Sequence, residues 1–233
     1  MRQLEEFYLT RPAPCPYLPD KTERKIITPA EDFNVVSVLS RAGFRRTHAM
    51  CYTPACEDCQ ACASVRIPVE RFRRTKKLRK ILRINEDLDV FPIENIATTE
   101  QYELFHKYLA ARHKDSDMNR MDYEEYRAMV EDSPTETRLI EFRNSHAGGL
   151  EAVVLLDIMD DGLSAVYSFY NPDPAERSLG TLCILNLVMC AAAAGLPYVY
   201  LGYAIKDCPS MAYKEKFRPL EAFQNGRWVA LPV

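Results

Sequence analysis

An apolar helix between two short strands dominates the hydrophobic pattern of the C-terminal half of the chain. Residues 163–170 are rich in Tyr, Val and Phe and predict a strand, which two prolines among the next five residues end. The apolar run 182–194 predicts a helix, with Ser178 as its N-cap and Gly195 just beyond its C-terminus. Residues 198–201 predict a second strand. Strand, loop, helix and strand in this order predict a crossover unit.

The N-terminus of this helix is the first candidate for chemistry. The backbone N–H groups at Leu179 and Gly180 have no acceptor within the helix, and the helix dipole favours negative charge there. Such a helix end can hold a phosphate, a carboxylate or a developing oxyanion. The pattern therefore predicts an anion site beside the loop that precedes the helix.

Periodicity elsewhere predicts a mixed α+β protein in two parts. Residues 7–30, rich in Pro, Arg and Tyr, are predicted to be irregular. Pro92 and the cap signal Thr98-Thr99-Glu100 place a boundary near residue 90, which gives domains 1–90 and 91–233. The other predicted elements, in chain order, are a helix at 33–42, a strand at 64–69, a basic helix at 70–88, helices at 100–113 and 122–131, strands at 138–142 and 150–158, and an edge strand at 229–231.

Charge is divided unevenly along this chain of 233 residues, whose formal net charge is −3. Residues 41–83 contain twelve Lys or Arg and three Asp or Glu, a net charge of +9. The rest of the chain contains 18 basic and 30 acidic residues, a net charge of −12. A basic segment on an otherwise acidic protein predicts an anionic partner for that segment.

The most basic stretch, residues 71–83, has eight basic residues in 13 and no acidic residue. A solvated helix face is the ordinary explanation, but such faces usually intersperse Glu to gain i,i+4 pairs. Contacts with the phosphates of a nucleic acid explain why all the charges are positive, and they do not require the bases to be recognised. RNA and DNA are equally admissible as the partner at this point. The residues expected to make these contacts are Arg73, Arg74, Lys76, Lys77, Arg79 and Lys80.

Four cysteines form a candidate metal site in the N-terminal domain. Cys56, Cys59 and Cys62 are separated by two residues each, and Cys15 lies upstream. Two residues between ligands let one turn present both sulfurs, so the set predicts zinc or an iron–sulfur cluster. The alternative is that these small side chains only pack, as the cysteines of the apolar helix are expected to do.

Several classes of protein are disfavoured by what the chain lacks. No apolar stretch reaches the length of a membrane span and the N-terminus has no apolar leader, so a cytoplasmic protein with reduced or metal-bound cysteines is expected. No Gly-x-Ser-x-Gly elbow or complete phosphate-binding loop occurs, which argues against a covalent-nucleophile hydrolase, an NTPase and any nucleotide cofactor.

The four histidines are scattered and are expected to pack or to lie at the surface. Asp157, Tyr167 and Tyr203 are the remaining polar candidates near the crossover unit.

Short motifs along nearly the whole chain suggest a known family. They are Cys15-Pro-Tyr-Leu-Pro, Thr22-Glu-Arg, Gly43-Phe-Arg-Arg, Tyr52-Thr-Pro-Ala-Cys, Cys62-Ala-Ser-Val-Arg, Met121-Asp, Val166-Tyr-Ser-Phe-Tyr, Arg177-Ser-Leu-Gly-Thr, Gly195-Leu-Pro-Tyr-Val-Tyr-Leu-Gly-Tyr, and Met211-Ala-Tyr-Lys with Phe217-Arg-Pro. In this order, with little insertion, they resemble the arginyl-tRNA–protein transferase family. The resemblance is greatest to its bacterial branch, the aspartate/glutamate leucyltransferases.

The resemblance implies a reaction, a fold and partners. The reaction moves leucine from leucyl-tRNA to the α-amino group of proteins that begin with Asp or Glu, a step in N-degron protein degradation. The implied fold is an N-acetyltransferase-like acyltransferase domain with a smaller cysteine-bearing N-terminal domain. The expected partners are leucyl-tRNA and the acceptor proteins, and neither DNA nor a membrane.

The sequence departs from the family at two places. Eukaryotic relatives carry a cluster-binding cysteine set with a Cys-x-x-Cys near the N-terminus, where this chain has Cys15-Pro-Tyr-Leu. One ligand is missing there, and Cys56, Cys59 and Cys62 could supply replacements. At residue 171 the family commonly has Asp followed by Pro, whereas this chain has Asn171. An acid role is therefore not expected at that position.

The family's reaction gives the candidate residues expected roles. An ester donor and an amine acceptor need positioning, a proton acceptor and oxyanion stabilisation, without a covalent intermediate. Asp157 and Tyr203 are expected to contact the acceptor amine. The N–H groups of Leu179 and Gly180 are expected to steady the carbonyl oxygen or a substrate carboxylate.

The remaining candidates are expected to bind substrate. Tyr167 and Ser178 lie in matching motifs beside the helix N-terminus. An acidic N-terminal side chain needs a cation, and the last matching motif supplies Lys214 and Arg218. Ordinary surface charge is the alternative for both.

Other functions remain open from the residues alone. Arginine could replace leucine as the transferred amino acid, because no residue identifies the amino-acid pocket. A catalytically silent RNA-binding metal protein also accounts for the basic segment and the cysteines. An N-acetyltransferase using acetyl-CoA is a third class, but Arg177-Ser-Leu-Gly-Thr has one glycine where a pyrophosphate loop is glycine-rich.

Overall fold

The structure, a computed structural model, describes residues 6–114, 116–205 and 208–231, except for the side chains of residues 209 and 210. Residues 1–5, on which the expectation of a missing leader partly rests, lie outside this description. The helices of the described ranges are α1 (Phe33–Arg41), α2 (Lys76–Ile84), α3 (Thr99–Arg112), α4 (Tyr123–Glu131) and α5 (Leu179–Ala193). The strands are β1 (Tyr8–Leu9), β2 (Ala13–Pro14), β3 (Thr22–Glu23), β4 (Lys25–Pro29), β5 (Arg45–Thr47), β6 (Met50–Pro54), β7 (Cys62–Pro68), β8 (Leu88–Glu94), β9 (Thr137–Asn144), β10 (Leu150–Met159), β11 (Gly162–Tyr170), β12 (Tyr198–Ile205), β13 (Glu221–Gln224) and β14 (Arg227–Ala230).

An eight-stranded sheet in the order β14-β13-β7-β12-β11-β10-β9-β8 forms the centre of the molecule. Its strands pair antiparallel except β11 and β12, which run parallel and are joined through α5. This arrangement confirms the predicted crossover unit. Gly195 follows α5 with a φ of +68°, as the predicted C-terminal stop requires.

Alternate residues of β10 face two separate cores, because successive side chains of a strand point to opposite faces. Ala152, Val154 and Leu156 pack with α5 on one side of the sheet. Val153 and Leu155 pack with α3 and α4 on the other side. A strand buried on both faces favours apolar residues at successive positions, which explains the apolar run at residues 152–156 of β10.

The crossover strands are paired at one end only. Gly162, Leu163 and Ser164 of β11 pair with Tyr198, Val199 and Tyr200 of β12. No further pairing between the two strands occurs among the described residues, although both continue for five residues or more. The strands therefore separate toward their C-terminal ends and leave a gap in the sheet.

Two regions predicted as irregular or as a linker are strands. Residues 7–30 contain β1 to β4, and Pro92 lies within β8. Because β8 is an edge strand, a proline there need not remove a hydrogen bond of the ladder. The large sheet includes β7, well inside the predicted domain 1–90, and β8, which crosses residue 90. The predicted division therefore does not coincide with an edge of the sheet.

A second, four-stranded antiparallel sheet in the order β1-β4-β6-β5 lies in the N-terminal region, and α1 packs beside it. Several contacts fix this part to the large sheet, and two of them are a buried ion pair and an indole hydrogen bond. Arg46 of β5 forms an ion pair with Asp157 of β10, in which the side chains are 3% and 1% exposed. The Trp228 Nε1–H of β14 donates to the Arg41 carbonyl at 2.8 Å. The two sheets therefore share buried contacts.

Among the described residues one helical stretch, Ala175–Ala193, is long and apolar enough by length and composition to span a membrane. This stretch comprises α5 and the turn before it. The expectation that no apolar stretch reaches the length of a membrane span is therefore not met by length and composition alone. Half of it is buried within the fold, where α5 packs against the sheet. Core packing accounts for its apolar composition.

Candidate active site

A cavity of about 470 Å³ opens at the N-terminus of α5. The last turn of α3, the C-terminal end of β11, the loop before α5 and a 3-10 run at Pro209–Lys216 meet there. Sheets with parallel strands commonly bind ligands at the carboxyl ends of those strands, where the crossover connection begins. The polar lining residues are Tyr108, Arg112, His113, Ser168, Tyr170, Asn171, Ser178, Thr181, Tyr213 and Lys216.

The backbone of α5 presents free donors to this cavity. The N–H groups of Leu179 and Gly180 donate to no backbone acceptor among residues 6–114, 116–205 and 208–231. Ser178 precedes them with a left-handed φ of +53°, and its hydroxyl makes no capping bond, so the predicted side-chain cap is wrong although the helix begins where predicted. A Cβ at Gly180 would lie 2.8 Å from the Tyr170 ring, so only glycine allows this approach. The cavity thus brings three predicted site residues together.

The charge of the cavity wall is positive. Arg112 and Lys216 line it, and within the described parts of the chain no acidic side chain does. Asn171 Oδ1 accepts a hydrogen bond from Lys107 Nζ at 2.8 Å. Two cations beside a helix N-terminus favour a ligand that is anionic or develops negative charge.

Tyr108 and His113 form a hydrogen-bonded pair in the same cavity. Tyr108 Oη lies 3.2 Å from His113 Nε2. Burial raises the pKa of Tyr108, so its hydroxyl keeps a proton that it can donate to the imidazole. Burial, and after it the charge of Arg112, lowers the pKa of His113, so the ring stays neutral near pH 7. The expectation that this histidine packs is confirmed, since its ring centroid lies 5.4 Å from that of Tyr108, and the residue also lines the cavity.

The basic segment leads to this cavity. The side chain of Asn85, which follows α2, donates from Nδ2 to the Arg177 carbonyl at 2.9 Å and accepts from Arg177 Nε at 2.8 Å. Because nine helical residues span about 14 Å, α2 forms a rod of that length ending at the loop before α5. The six predicted phosphate contacts are exposed and form no ion pair within the described ranges; they are Arg73, Arg74, Lys76, Lys77, Arg79 and Lys80.

A second cavity, of about 570 Å³, holds the predicted metal ligands. Burial, and after it the nearby Cys15, Cys56 and Cys59, raises the pKa of Cys62 to about 11. The cavity is lined by Cys15, Cys56, Cys59 and Cys62, together with Tyr17, Tyr52 and Tyr203.

The chemistry of this donor set fits a thiolate-bound metal, because four cysteines are the number that structural zinc or an iron–sulfur cluster takes. In the arrangement of the described residues, no three His, Cys, Asp or Glu side chains are grouped around a common ion position, so binding would draw the sulfurs closer. We propose the four cysteines as ligands of zinc or an iron–sulfur cluster. Metal analysis of the anaerobically purified protein and of its Cys59→Ser, Cys62→Ser variant tests this set, and a metal-free wild-type protein would contradict it.

Asp157 is not available to a substrate. Its Oδ2 accepts from Arg46 Nε at 2.7 Å, and its Oδ1 accepts from Arg46 Nη2 and from the Thr137 hydroxyl, each also at 2.7 Å. The residue is 1% exposed. The predicted contact of Asp157 with the acceptor amine is therefore wrong, because both oxygens are occupied by a buried structural ion pair.

Tyr203 and Lys214 do not line the α5 cavity. Tyr203 is 4% exposed, and its hydroxyl donates to the Tyr52 carbonyl at 2.9 Å beside the cysteines. Its predicted contact with the amine is wrong, since the hydroxyl is used inside the fold. Lys214 is also 4% exposed and its Nζ donates to the Tyr203 carbonyl. Burial, and after it the charge of Arg45, lowers the pKa of Lys214 to about 7, so Lys214 is an internal lysine and not a surface cation.

The last two predicted residues lie elsewhere. Tyr167 packs in the core beside α3, with its ring centroid 6.0 Å from that of Phe105, and burial raises its pKa to about 12. It does not line the α5 cavity, and its predicted substrate contact stays a prediction. Arg218 is half-buried beside a third cavity that Lys214 also lines, and its role as a carboxylate partner stays a prediction.

Family models match most of the chain. A model described as arginine-tRNA-protein transferase, N terminus, matches residues 13–80, and one described as arginine-tRNA-protein transferase, C terminus, matches residues 100–224. A curated aspartate/glutamate leucyltransferase from Gluconacetobacter diazotrophicus is 45% identical over 233 residues, covering 99% of this chain and 89% of the relative. One from Caulobacter vibrioides (strain NA1000) is 47% identical over 234 residues, covering 97% of this chain and 84% of the relative.

Solved structures share the fold at low sequence identity. FemX matches with a TM-score of 0.53 at 8% identity, over 84% of this chain and 68% of its own. L-PGS from Bacillus licheniformis matches with a TM-score of 0.52 at 13% identity, over 72% of this chain and 62% of its own. At these identities the likeness concerns the fold alone. It confirms the predicted N-acetyltransferase-like acyltransferase fold, and the separate family model for the N-terminus agrees with a cysteine-bearing N-terminal domain.

Proposed function

The chain belongs to the arginine-tRNA-protein transferase family, and we propose that it transfers leucine from leucyl-tRNA to the α-amino group of proteins with N-terminal Asp or Glu. The observation that carries this function is the exposed cationic face of α2, which ends at a cavity with free N–H groups. An aminoacyl-tRNA has both parts that this arrangement fits, a phosphate backbone and a reactive ester at its end. The names of the relatives support leucine as the transferred amino acid and acidic residues as acceptors.

The tRNA lies along α2 in this proposal. Arg and Lys side chains of one sign neutralise backbone phosphates without reading bases, as expected for an enzyme that must hold the arm of a tRNA. The Asn85–Arg177 hydrogen bonds fix the end of α2 to the loop that lines the α5 cavity. The 3′ end of the tRNA, with its leucyl ester, then enters that cavity.

The bond changes need three functions from the protein. The acceptor amine attacks the ester carbonyl, the new C–N bond forms, and the ester C–O bond breaks to leave the ribose hydroxyl. The N–H groups of Leu179 and Gly180 face the oxygen that becomes negative in the tetrahedral intermediate. The Tyr108 oxygen accepts the amine proton as its own proton passes to His113 Nε2. When the ester C–O bond breaks, the same pair returns one proton to the leaving ribose oxygen. Because the α-amine has a pKa of about 7.7–8.0, only mild proton acceptance is required.

The function is tested by incubating the protein with radiolabelled leucyl-tRNA and a peptide that begins with Glu. We expect leucine at the peptide N-terminus, and no transfer to the same peptide with an acetylated N-terminus, because the α-amine is the nucleophile. Arginyl-tRNA and acetyl-CoA serve as competing donors. Equal or faster transfer of arginine, or transfer of acetate, would replace the proposed donor.

The role of the Tyr108–His113 pair predicts a pH profile. Because the pKa of His113 lies below its ordinary value, the ring can still accept a proton at lower pH. Log kcat/KM should therefore rise with pH at slope one where only the acceptor amine titrates. The slope should reach two only below about pH 6.5, where His113 is protonated as well. His113→Gln should lower the plateau by about 10²–10⁴-fold, the range for a positioned acid–base group, and remove the steeper limb. His146→Gln, at an exposed position, is the control. A variant profile identical to the wild type would exclude His113 from proton transfer.

Transfer to an acidic N-terminus places the protein in N-degron degradation, and the need for charged tRNA places it in the cytoplasm. These assignments follow from the proposed reaction.

A further inference from the structure

Arg112, the last residue of α3, brings an unpaired guanidinium to the wall of the α5 cavity. The residue is exposed, and within the described parts of the chain its side chain makes no hydrogen bond and no ion pair. Other arginines of the fold are paired, for example Arg143 with Glu100 and Arg177, just before α5, with Asp87. A guanidinium carries five N–H donors, so all five of Arg112 remain available to a ligand in the cavity.

Tyr108 lies one helical turn before Arg112 on α3. Residues four apart on a helix share a face, with about 5–6 Å between their Cβ atoms, and both side chains line the same cavity. The Tyr108 hydroxyl, 3.2 Å from His113 Nε2, is the group that accepts the amine proton in the proposed reaction. One face of α3 therefore carries a cation and a proton acceptor about one turn apart.

This spacing fits an acidic N-terminal residue of an acceptor protein. With covalent bonds of about 1.5 Å, the α-nitrogen of an extended glutamate lies about 5 Å from its side-chain carboxylate carbon. In aspartate the same two groups are about 4 Å apart, and the rotatable side chain of arginine can follow the shorter reach. A carboxylate bound by Arg112 thus leaves the α-amine beside the Tyr108 oxygen.

The charge of the cavity wall agrees with such a ligand. Among the described residues no acidic side chain lines the cavity, so none competes there for Arg112. Lys216 is the other cation of the wall, and it belongs to the run Pro209–Lys216 and not to α3. A guanidinium presents paired donors that match the two oxygens of a carboxylate, whereas an ammonium is a point charge that suits a phosphate equally. Of the two cations, Arg112 is the better match for a carboxylate.

We propose that Arg112 binds the side-chain carboxylate of the acceptor's N-terminal Asp or Glu and so sets the specificity for acidic acceptors. The inference rests on the proposed transfer to such acceptors. Lys216 is then left for the phosphate nearest the leucyl ester. The carboxylate contact that the sequence suggested for the buried Lys214 passes to Arg112, and Arg218 at the third cavity is the alternative that the test decides.

The test measures kcat/KM for leucine transfer to two peptides that differ only in Glu or Gln at the first position. We expect wild type to prefer Glu by about 10- to 100-fold, the range for a hydrogen bond between charged groups. Arg112→Gln should lose that factor on the Glu peptide, change the Gln peptide by less than about twofold, and bring the preference close to one. Arg112→Glu should make Gln the better first residue, because two carboxylates then repel each other in the cavity.

Two controls separate a local contact from net charge and from the other cation of the cavity. Arg227→Glu, at an exposed position on β14, makes the same change of charge as Arg112→Glu and should keep the Glu preference. Lys216→Gln should keep that preference even where it lowers both rates, because its ammonium serves the tRNA and not the acceptor.

Several outcomes would overturn the inference. A Glu preference preserved in both Arg112 variants would return the carboxylate to Arg218, and loss of the preference in Lys216→Gln would move it to Lys216. Equal losses on both peptides in Arg112→Gln would make Arg112 a structural residue.

Binding of the two peptides without tRNA, measured by NMR titration, separates this inference from the proposed function. If wild type binds the Glu peptide more tightly than the Gln peptide and Arg112→Gln does not, but no leucine is transferred, the inference stands and the proposed reaction fails. If leucine is transferred and Arg112→Gln keeps the Glu preference in transfer and in binding, the inference fails alone.

Discussion

Leucyl-tRNA should bind at least about a hundredfold more weakly at moderate salt when four exposed cations of α2 and the turn before it are changed to glutamate: Arg73, Arg74, Lys76 and Lys77. Removing a single interaction with a phosphate should also reduce the slope of log affinity against log salt by about 0.7–0.9. Leu78 is the only buried residue of α2, so the fold should tolerate the change. Filter binding at several salt concentrations measures both effects.

A pair of substitutions with the same change of charge controls for the net charge of the protein. Arg73→Glu with Lys77→Glu is compared with Arg127→Glu with Arg227→Glu, since Arg127 and Arg227 are exposed on α4 and β14. The first pair should reduce the salt slope and the second should not. Equal effects of the two pairs would mean that tRNA responds to overall charge and not to α2.

Removing one partner of the Arg46–Asp157 ion pair should lower the free energy of unfolding by about 3–5 kcal/mol, because the other charge is left buried and uncompensated. Asp157→Leu and Arg46→Met are the single changes. The double variant Arg46→Met, Asp157→Leu should recover most of the loss, since an apolar pair replaces two buried charges. Urea unfolding of the four proteins completes the cycle.

A catalytic Asp157 would give a different result. Asp157→Asn would then reduce leucine transfer by orders of magnitude while the unfolding midpoint stayed near that of wild type. In a structural pair, activity per folded molecule should persist as stability falls. The two measurements together decide between the sequence prediction and the buried ion pair.

Local patterns predicted the crossover unit well because its signals lie within the elements themselves. The apolar run of α5 has a clear end at Gly195, and the flanking strands are too rich in Tyr and Val to form helices. The helix N-terminus at Leu179 and Gly180 was predicted for the same reason. Ser178 shows the limit, because its left-handed backbone, which prevents a side-chain cap, depends on the turn before it.

Contacts between distant parts of the chain could not be predicted. Asp157 resembles a catalytic acid on a strand until Arg46, 111 residues away, is known to be its partner. Arg45 and Arg46 are adjacent in the Gly43-Phe-Arg-Arg motif, yet opposite side-chain directions on β5 take one into an ion pair and the other into the gap of the large sheet. His113 has no sequence signal at all, since the role proposed for it depends on Tyr108 and on the cavity formed by β11.

The place of β7 in the sheet has a consequence for synthesis on the ribosome. Both neighbours of β7 come from residues 198–224, so this apolar strand leaves the exit tunnel long before either partner exists. During that interval its edges are open to pairing with other chains, which favours aggregation of the nascent protein. Fragments that end before residue 198 keep this exposed strand permanently. The N-terminal segment is therefore not a free-standing folding unit, because both partner strands of β7 come from the C-terminal segment.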